Sequence, residues 1–307
     1  MKRLLTCAIV AFTCLTAMAK NNITVAQDGS GDFTSIQEAI LSVRAEMRHR
    51  TNIHVKKGVY KEKIVVPTWC INVSLIGEDR DSTIIEWNDH ANMQIDGKKM
   101  GTFRTYTIKV QGHGFRAENL TIANNAPLLG QAVALHVEGD QAVFVNCRII
   151  GNQDTIYAGS ATSRQLYDKC EIEGTTDFIF GPATCFFDKC VIRSKKNSYI
   201  TAPSTPEDKK YGFVFQECKL IAADGIKKVY LGRPWRPFGA SAFINCEMDN
   251  HIRPEGWDNW RNAENEKTAR FIEIGSKGSG ANNDARVKWA KTSGNAKDYT
   301  RKKVIGF

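Results

Sequence analysis

The sequence predicts an all-β chain wound as a single-stranded right-handed parallel β-helix, with a helix capping its N-terminal end. Three observations predict this. Five segments share a run of aromatic or aliphatic residues, one or two polar residues, a cysteine, and then alternating apolar residues. Their cysteines, Cys147, Cys170, Cys190, Cys218 and Cys246, are separated by 23, 20, 28 and 28 residues. Helical spacing is nearly absent between them. A short period-2 strand cannot bury its face alone, so units of this length gain a core only by stacking, each coil pairing the strand edges of the last.

Taken in order, the chain begins with Lys2 and Arg3, an apolar run from Leu4 to Ala17, and Ala17-Met18-Ala19. This is the pattern of a signal peptide over residues 1–19, too short in its apolar part to span a bilayer. Cys14 follows Ala11-Phe12-Thr13, a poor match to a lipoprotein site. An exported chain with one domain over 20–307 is expected, periplasmic or secreted, with no membrane partner. Loss of Lys2 and Arg3 lowers the formal charge from +9 to +7. The remaining basic residues come as scattered pairs, such as Lys56-Lys57 and Lys227-Lys228. They read either as solvated turns or as a track for an anionic polymer, and no run is long enough to indicate nucleic acid.

Ser35 to Val43 has helical spacing of apolar residues, with Thr34 as N-cap, and predicts the capping helix up to about His49. A first coil is expected at Asn72–Gly77, and a weaker copy at Phe115–Ile122 places Asn119 in the cysteine slot. The five cysteine-bearing coils follow. The segment from Asn262 is polar and ends in Arg301-Lys302-Lys303; it is expected to pack back along the outside.

Seven cysteines remain after residue 19, an odd number, and none stands in a CxxC or a zinc-type His/Cys cluster. No metal and no cofactor are expected. The spacing suits an inward ladder of small apolar side chains. A disulfide between Cys170 and Cys190 and a free ladder both remain open.

The repeat also acts as a ruler for chemistry. Asp154 lies seven residues after Cys147, and Asp177 seven after Cys170. Each therefore heads a strand in adjacent coils, about 5–7 Å apart on ladder geometry. Two carboxylates that close do not both ionise readily, so one pKa rises. The next coils place Ser198 and then Lys228-Val229 in the slot. Arg233, about two coils from Asp177, is within reach and would keep that acid ionised, leaving Asp154 as the proton donor. Such a pair serves glycoside hydrolysis or ester hydrolysis through an acyl-enzyme. Gln153 and Gln131 add two carboxamide donors suited to an oxyanion, which favours ester chemistry. Taken singly, each residue has a plainer reading: a turn Asp, a ladder Gln, a surface Arg, and a core aromatic for Trp235.

Six blocks carry a family resemblance. Asp28-Gly29-Ser30-Gly31-Asp32-Phe33-Thr34 opens the mature chain, and Gly58-Val59-Tyr60-Lys61-Glu62 follows. Gln131-Ala132-Val133-Ala134-Leu135, Gly151-Asn152-Gln153-Asp154-Thr155, Gly174-Thr175-Thr176-Asp177-Phe178-Ile179-Phe180-Gly181 and Leu231-Gly232-Arg233-Pro234-Trp235 come next in that order. Over nearly its whole mature length the chain resembles the pectin methylesterases, β-helical carbohydrate esterases. The resemblance implies hydrolysis of methyl esters of polygalacturonate, without a metal. It implies Asp177 as nucleophile and Asp154 as acid and then base. Gln131 and Gln153 would stabilise the oxyanion and Arg233 would orient Asp177. Trp235, Phe178 and Tyr157 would form the apolar platform for the sugar. The implied partner is methyl-esterified homogalacturonan, met by a monomer.

The chain departs from the family at Pro203, where Gln is often found after Thr-Ala. Insertions over 195–211 and 222–228 are expected to border the site and tune substrate preference. The alternatives are an esterase for another ester, a glycan hydrolase on the same scaffold, or a non-catalytic glycan-binding β-helix.

Overall fold

The structure, a computed structural model, describes residues 21–281 and 283–307. The expected signal peptide lies outside the described residues. Three parallel sheets of ten, eight and seven strands make up a right-handed β-helix, and the chain visits them in turn, coil after coil. In the eight-stranded sheet the register runs Arg148, Glu171, Val191, Lys219, Glu247. Each residue follows its slot's cysteine, so the cysteine intervals are the coil lengths.

Between the ten- and eight-stranded sheets six successive coils, from Arg116–Glu118 onward, each bend through one residue in the left-handed region. These are Asn119, Asn146, Lys169, Lys189, Glu217 and Asn245, with φ between 48° and 53°. That conformation is uncommon for residues with a Cβ and is most readily adopted by Asn. Asn146 Nδ2 donates to Asn119 Oδ1 at 2.8 Å, tying two bends together. The register corrects one expectation. Arg148 pairs with Thr121, so Leu120 and not Asn119 occupies the cysteine slot. Asn119 belongs to the bend before it.

The inward side chains form columns. Phe144, Tyr167, Phe187, Phe215 and Phe243 stack at 4.9, 4.6, 4.4 and 4.4 Å between ring centroids, all within 11° of parallel. The cysteines form a second column and remain thiols. Cys170, Cys190, Cys218 and Cys246 Sγ each donate to the carbonyl of the preceding coil's aromatic residue, at 3.3–3.5 Å. Of the two alternatives for Cys170 and Cys190, the structure has the free ladder.

The helix over Ile36–Ser42 covers the open N-terminal end with Ile36, Ala39 and Ile40. Its N-cap is Ser35, not Thr34: Ser35 Oγ accepts from Glu38 N at 3.3 Å. Glu62 strengthens the cap, accepting from Ser35 Oγ, Ile36 N and Gln37 N at 2.8–3.0 Å. The Gly58–Glu62 motif therefore works as a helix clamp, with a carboxylate at the positive end of the helix. The helix ends at Ser42, seven residues short of the expected limit, where Ser42 Oγ turns back onto Ala39 O.

Beyond Asn262 the chain forms a short helix, Glu264–Thr268, and then another strand, Arg270–Ile274, at the end of the ten-stranded sheet. Only then does it run back along the outside. Val304 and Ile305 cover Leu166, Phe186 and Val214 on the outer face of that sheet. The polar composition hid the strand, whose inward Phe271 stacks on Trp257 at 4.3 Å.

Candidate active site

Asp154 and Asp177 sit in the bend where the chain passes from the eight- to the seven-stranded sheet. Both have positive φ, 65° and 49°. A short polar side chain tolerates this conformation, and the bend turns it outward while the following residue points in. Ile156 pairs with Ile179, so the two acids occupy the same place on adjacent rungs, as their spacing predicts. The rungs continue through the bend: Asp154 N donates to Thr176 O at 3.1 Å and Asp177 N to Tyr199 O at 2.9 Å.

The next coil corrects the ruler. Ile179 pairs with Thr201 and Tyr199 with Tyr230. Tyr199 and Tyr230, not Ser198 and Lys228-Val229, continue the slot, and their rings stack at 5.2 Å. Coil length in this sheet is 22 residues at that step, against 20 between Cys170 and Cys190, because the bend takes up the difference.

Arg233 grips Asp177 with both ends of its fork: Nε to Oδ1 at 3.0 Å and Nη2 to Oδ2 at 2.7 Å. Its guanidinium lies between two rings, 3.8 Å from the centroid of Tyr199 and 3.7 Å from that of Trp260. Among the described residues no cation forms a salt bridge with Asp154. Burial, and then the Asp177 charge, push the Asp154 carboxyl well above the usual carboxylate range, with Arg233 opposing. Burial also raises Asp177, and the hydrogen bonds and charge of Arg233 oppose it. Arg233 therefore moderates the rise at Asp177 without reversing it, and the two acids separate in the expected order.

The acids open into a cleft of about 270 Å³ that also takes in Gln131, Gln153, Phe180, Trp235 and Trp260. The two Gln residues lie on neighbouring coils: Ala132 N donates to Gln153 O at 3.0 Å. Among the described residues no protein group hydrogen-bonds either side-chain amide, which leaves both free to donate into the cleft. Thr102 and Phe103 form one wall.

Phe178 does not line the cleft. It is fully buried in the interior of the coil, against Gly174, where a Cβ would lie 2.2 Å from its own. The bend at Asp177 reverses the alternation, so Phe178 points in and Phe180 points out. Phe180 lines the cleft where Phe178 was expected, with Trp235 edge-on at 5.8 Å and Tyr157 at 4.9 Å. The floor continues along one outward row of the sheet, Lys109, His136, Tyr157, Phe180 and Ala202. Trp260 was not legible in the sequence, since it lies in a loop after the last full coil and belongs to no repeat. The insertions border the cleft less than expected. Ala202 lines it, but neither 206–211 nor 222–228 does. Among the described residues no three His, Cys, Asp or Glu side chains gather in a way that could hold a metal ion.

The profile of the Pectinesterase family matches residues 22–306. Pectinesterase 31 of Arabidopsis thaliana is 38% identical over 278 residues, covering 88% of this chain and 86% of that protein. Several further relatives, described as pectinesterase/pectinesterase inhibitor proteins, are longer, and the chain spans about half of their length. Among solved structures, the pectin methylesterase from carrot aligns with a TM-score of 0.86 at 31% identity, covering 92% of this chain and 93% of that one. A pectin methylesterase in complex with hexasaccharide VII aligns with a TM-score of 0.81 at 32% identity, over 94% and 98% of the two chains.

Proposed function

The chain belongs to the pectinesterase family of carboxylic ester hydrolases, and on that premise we propose that it demethylates pectin through an acyl-enzyme on Asp177. The observation that carries the reading is the unequal treatment of two adjacent acids. Arg233 donates two hydrogen bonds to Asp177 and opposes the rise that burial causes there, whereas burial and the Asp177 charge push Asp154 well above the usual carboxylate range.

In this mechanism an Asp177 oxygen attacks the carbonyl carbon of a galacturonate methyl ester. The carbonyl oxygen becomes an oxyanion, and the side-chain N–H groups of Gln131 and Gln153 donate to it. The intermediate collapses, the C–O bond to methoxide breaks, and Asp154 gives its proton so that methanol leaves. The acyl-enzyme is an anhydride of Asp177. Asp154, now ionised, takes a proton from water as that water attacks the sugar's acyl carbon. The second collapse returns Asp177 as carboxylate, releases the free uronic acid and leaves Asp154 protonated. Phe180, Tyr157 and Trp235 supply an apolar floor for the sugar rings.

Export in the manner of a signal-peptide-bearing protein completes the reading, since the polymer lies outside the cell. Among the described residues no helix is long and apolar enough to cross a membrane. The test is methanol release from highly methylated pectin by the parent and by Asp177→Asn, with thermal melting to check folding. The parent is expected to release methanol and the folded variant none. Methanol release retained in the variant would remove Asp177 as nucleophile. Acetate or new reducing ends from the parent, without methanol, would replace the substrate.

A further inference from the structure

A second hollow lies on the outer face of the ten-stranded sheet, away from the residues that line the cleft. Its volume is about 230 Å³, below the roughly 300–1,000 Å³ of pockets for drug-sized ligands. That suits one sugar ring. Its origin can be read rung by rung. The outward row of this sheet runs Phe186, Val214, Ala242, Ile272, Lys291. The returning tail covers the row at Phe186 and Val214 with Val304 and Ile305. Where the tail approaches the sheet, at Tyr299, the row drops to the small Ala242 and a depression is left.

The walls are aromatic. Tyr211 and Tyr299 meet edge to face at 5.9 Å, and Trp289, 5.8 Å from the Phe271 ring, also lines the hollow. The wall carrying Tyr211 is the 206–211 segment that turned away from the cleft. Arg270 fixes it, donating to the carbonyls of Pro206, Lys209 and Phe238. Tyr211 Oη donates to Asp298 O at 2.8 Å, which ties this wall to the tail. The hollow is therefore built before any ligand arrives. Lys210 and Lys291 stand exposed at its mouth, and among the described residues neither has a salt-bridge partner. The nearest acid in the tail, Asp298, is already held by Lys303 at 2.8 Å.

We infer that this hollow is a second polysaccharide site, which takes one unit of demethylated polygalacturonate through aromatic stacking and two lysine–carboxylate contacts. Aromatic walls fit the C–H faces of a sugar, and the two lysines, of which Lys210 rests 5.0 Å from the Tyr211 ring centroid and neither is tied to a carboxylate among the described residues, select a free carboxylate over its methyl ester. The inference rests on the substrate reading above. Its consequence is an enzyme that stays on the polymer it has already processed.

Calorimetry with fully demethylated trigalacturonate tests it. The parent is expected to bind two equivalents, one in the cleft and one in the hollow, and Lys210→Glu/Lys291→Glu only one. Both lysines are exposed, so the variant keeps its fold, and neither touches the catalytic machinery. Methanol release from a short methylated oligomer should be unchanged in the variant, while KM on long, partly demethylated pectin rises several-fold. One equivalent in the parent, or two retained in the variant, overturns the inference. Equal displacement from the hollow by polyglutamate overturns it as well, since charge alone would then suffice. Failure of the substrate reading looks different: the parent would release no methanol, whatever the stoichiometry of binding.

Discussion

Arg233 holds Asp177 with two hydrogen bonds, while among the described residues no cation forms a salt bridge with Asp154, one rung away. Replacing Arg233 by Ala leaves a buried carboxylate without its partner, so the pKa of Asp177 rises further. The expected result is a fall in kcat/KM of about 10²–10³, the loss seen when one preorganised electrostatic contact is removed. The acid limb of the pH–rate profile should move to higher pH at the same time. An unshifted limb would mean that Asp177 does not depend on Arg233 for its charge.

Gln131 and Gln153 differ from the acids in what their loss should do. Each Gln→Ala change removes a donor that acts on the oxyanion and not on the resting ester. Steady-state kinetics should give a drop in kcat of roughly 10²-fold for either change, with KM nearly constant. A rise in KM at constant kcat would make them ground-state binding residues.

The raised pKa of Asp154 has a cost in stability whose sign is fixed. The folded state holds the proton more tightly than the unfolded chain, so stability from this group is present below pH 3.8 and is lost as pH rises toward the folded pKa. Asp154→Asn removes that loss. The variant should be inactive, melt above the parent at neutral pH, and match the parent near pH 3. Equal melting temperatures across the range would mean that Asp154 is not perturbed by folding.

Phe178 and Phe180 are two residues apart and should fail in different ways. Phe178→Ala empties a core position and should cost about 3–5 kcal/mol in urea unfolding. Phe180→Ala should instead raise KM by roughly tenfold, ~1.4 kcal/mol of binding. If Phe178→Ala changed KM and left stability intact, the assignment of inside and outside at this bend would be reversed.

The coil was legible because cysteine intervals equal coil lengths in the eight-stranded sheet, and Asp154 and Asp177 keep a constant distance from those cysteines. Beyond Asp177 the bend absorbs extra residues, so the same ruler slipped by one or two and missed Tyr199 and Tyr230. Phe178 was misplaced for a related physical reason. A positive φ at Asp177 breaks simple alternation, and no periodicity in the sequence marks that break. Trp260 and the Asn262–Ile274 region belong to no repeat. Their positions follow from packing at the end of the coil, Trp257 on Phe271 and Trp260 on Arg233, which a one-dimensional pattern does not encode.

The column of thiols offers a chemical readout of how the coil comes apart. Cys147, Cys170, Cys190 and Cys218 are at most 1% exposed, and burial lifts their pKa values well above the ordinary thiol. The thiolate, which is the form that reacts, is suppressed while the coil is closed. Each of these positions is one turn of the same spiral. An alkylating reagent would therefore tag them in the sequence in which the turns unwind, and a peptide map of the tags would tell which end of the molecule frays first.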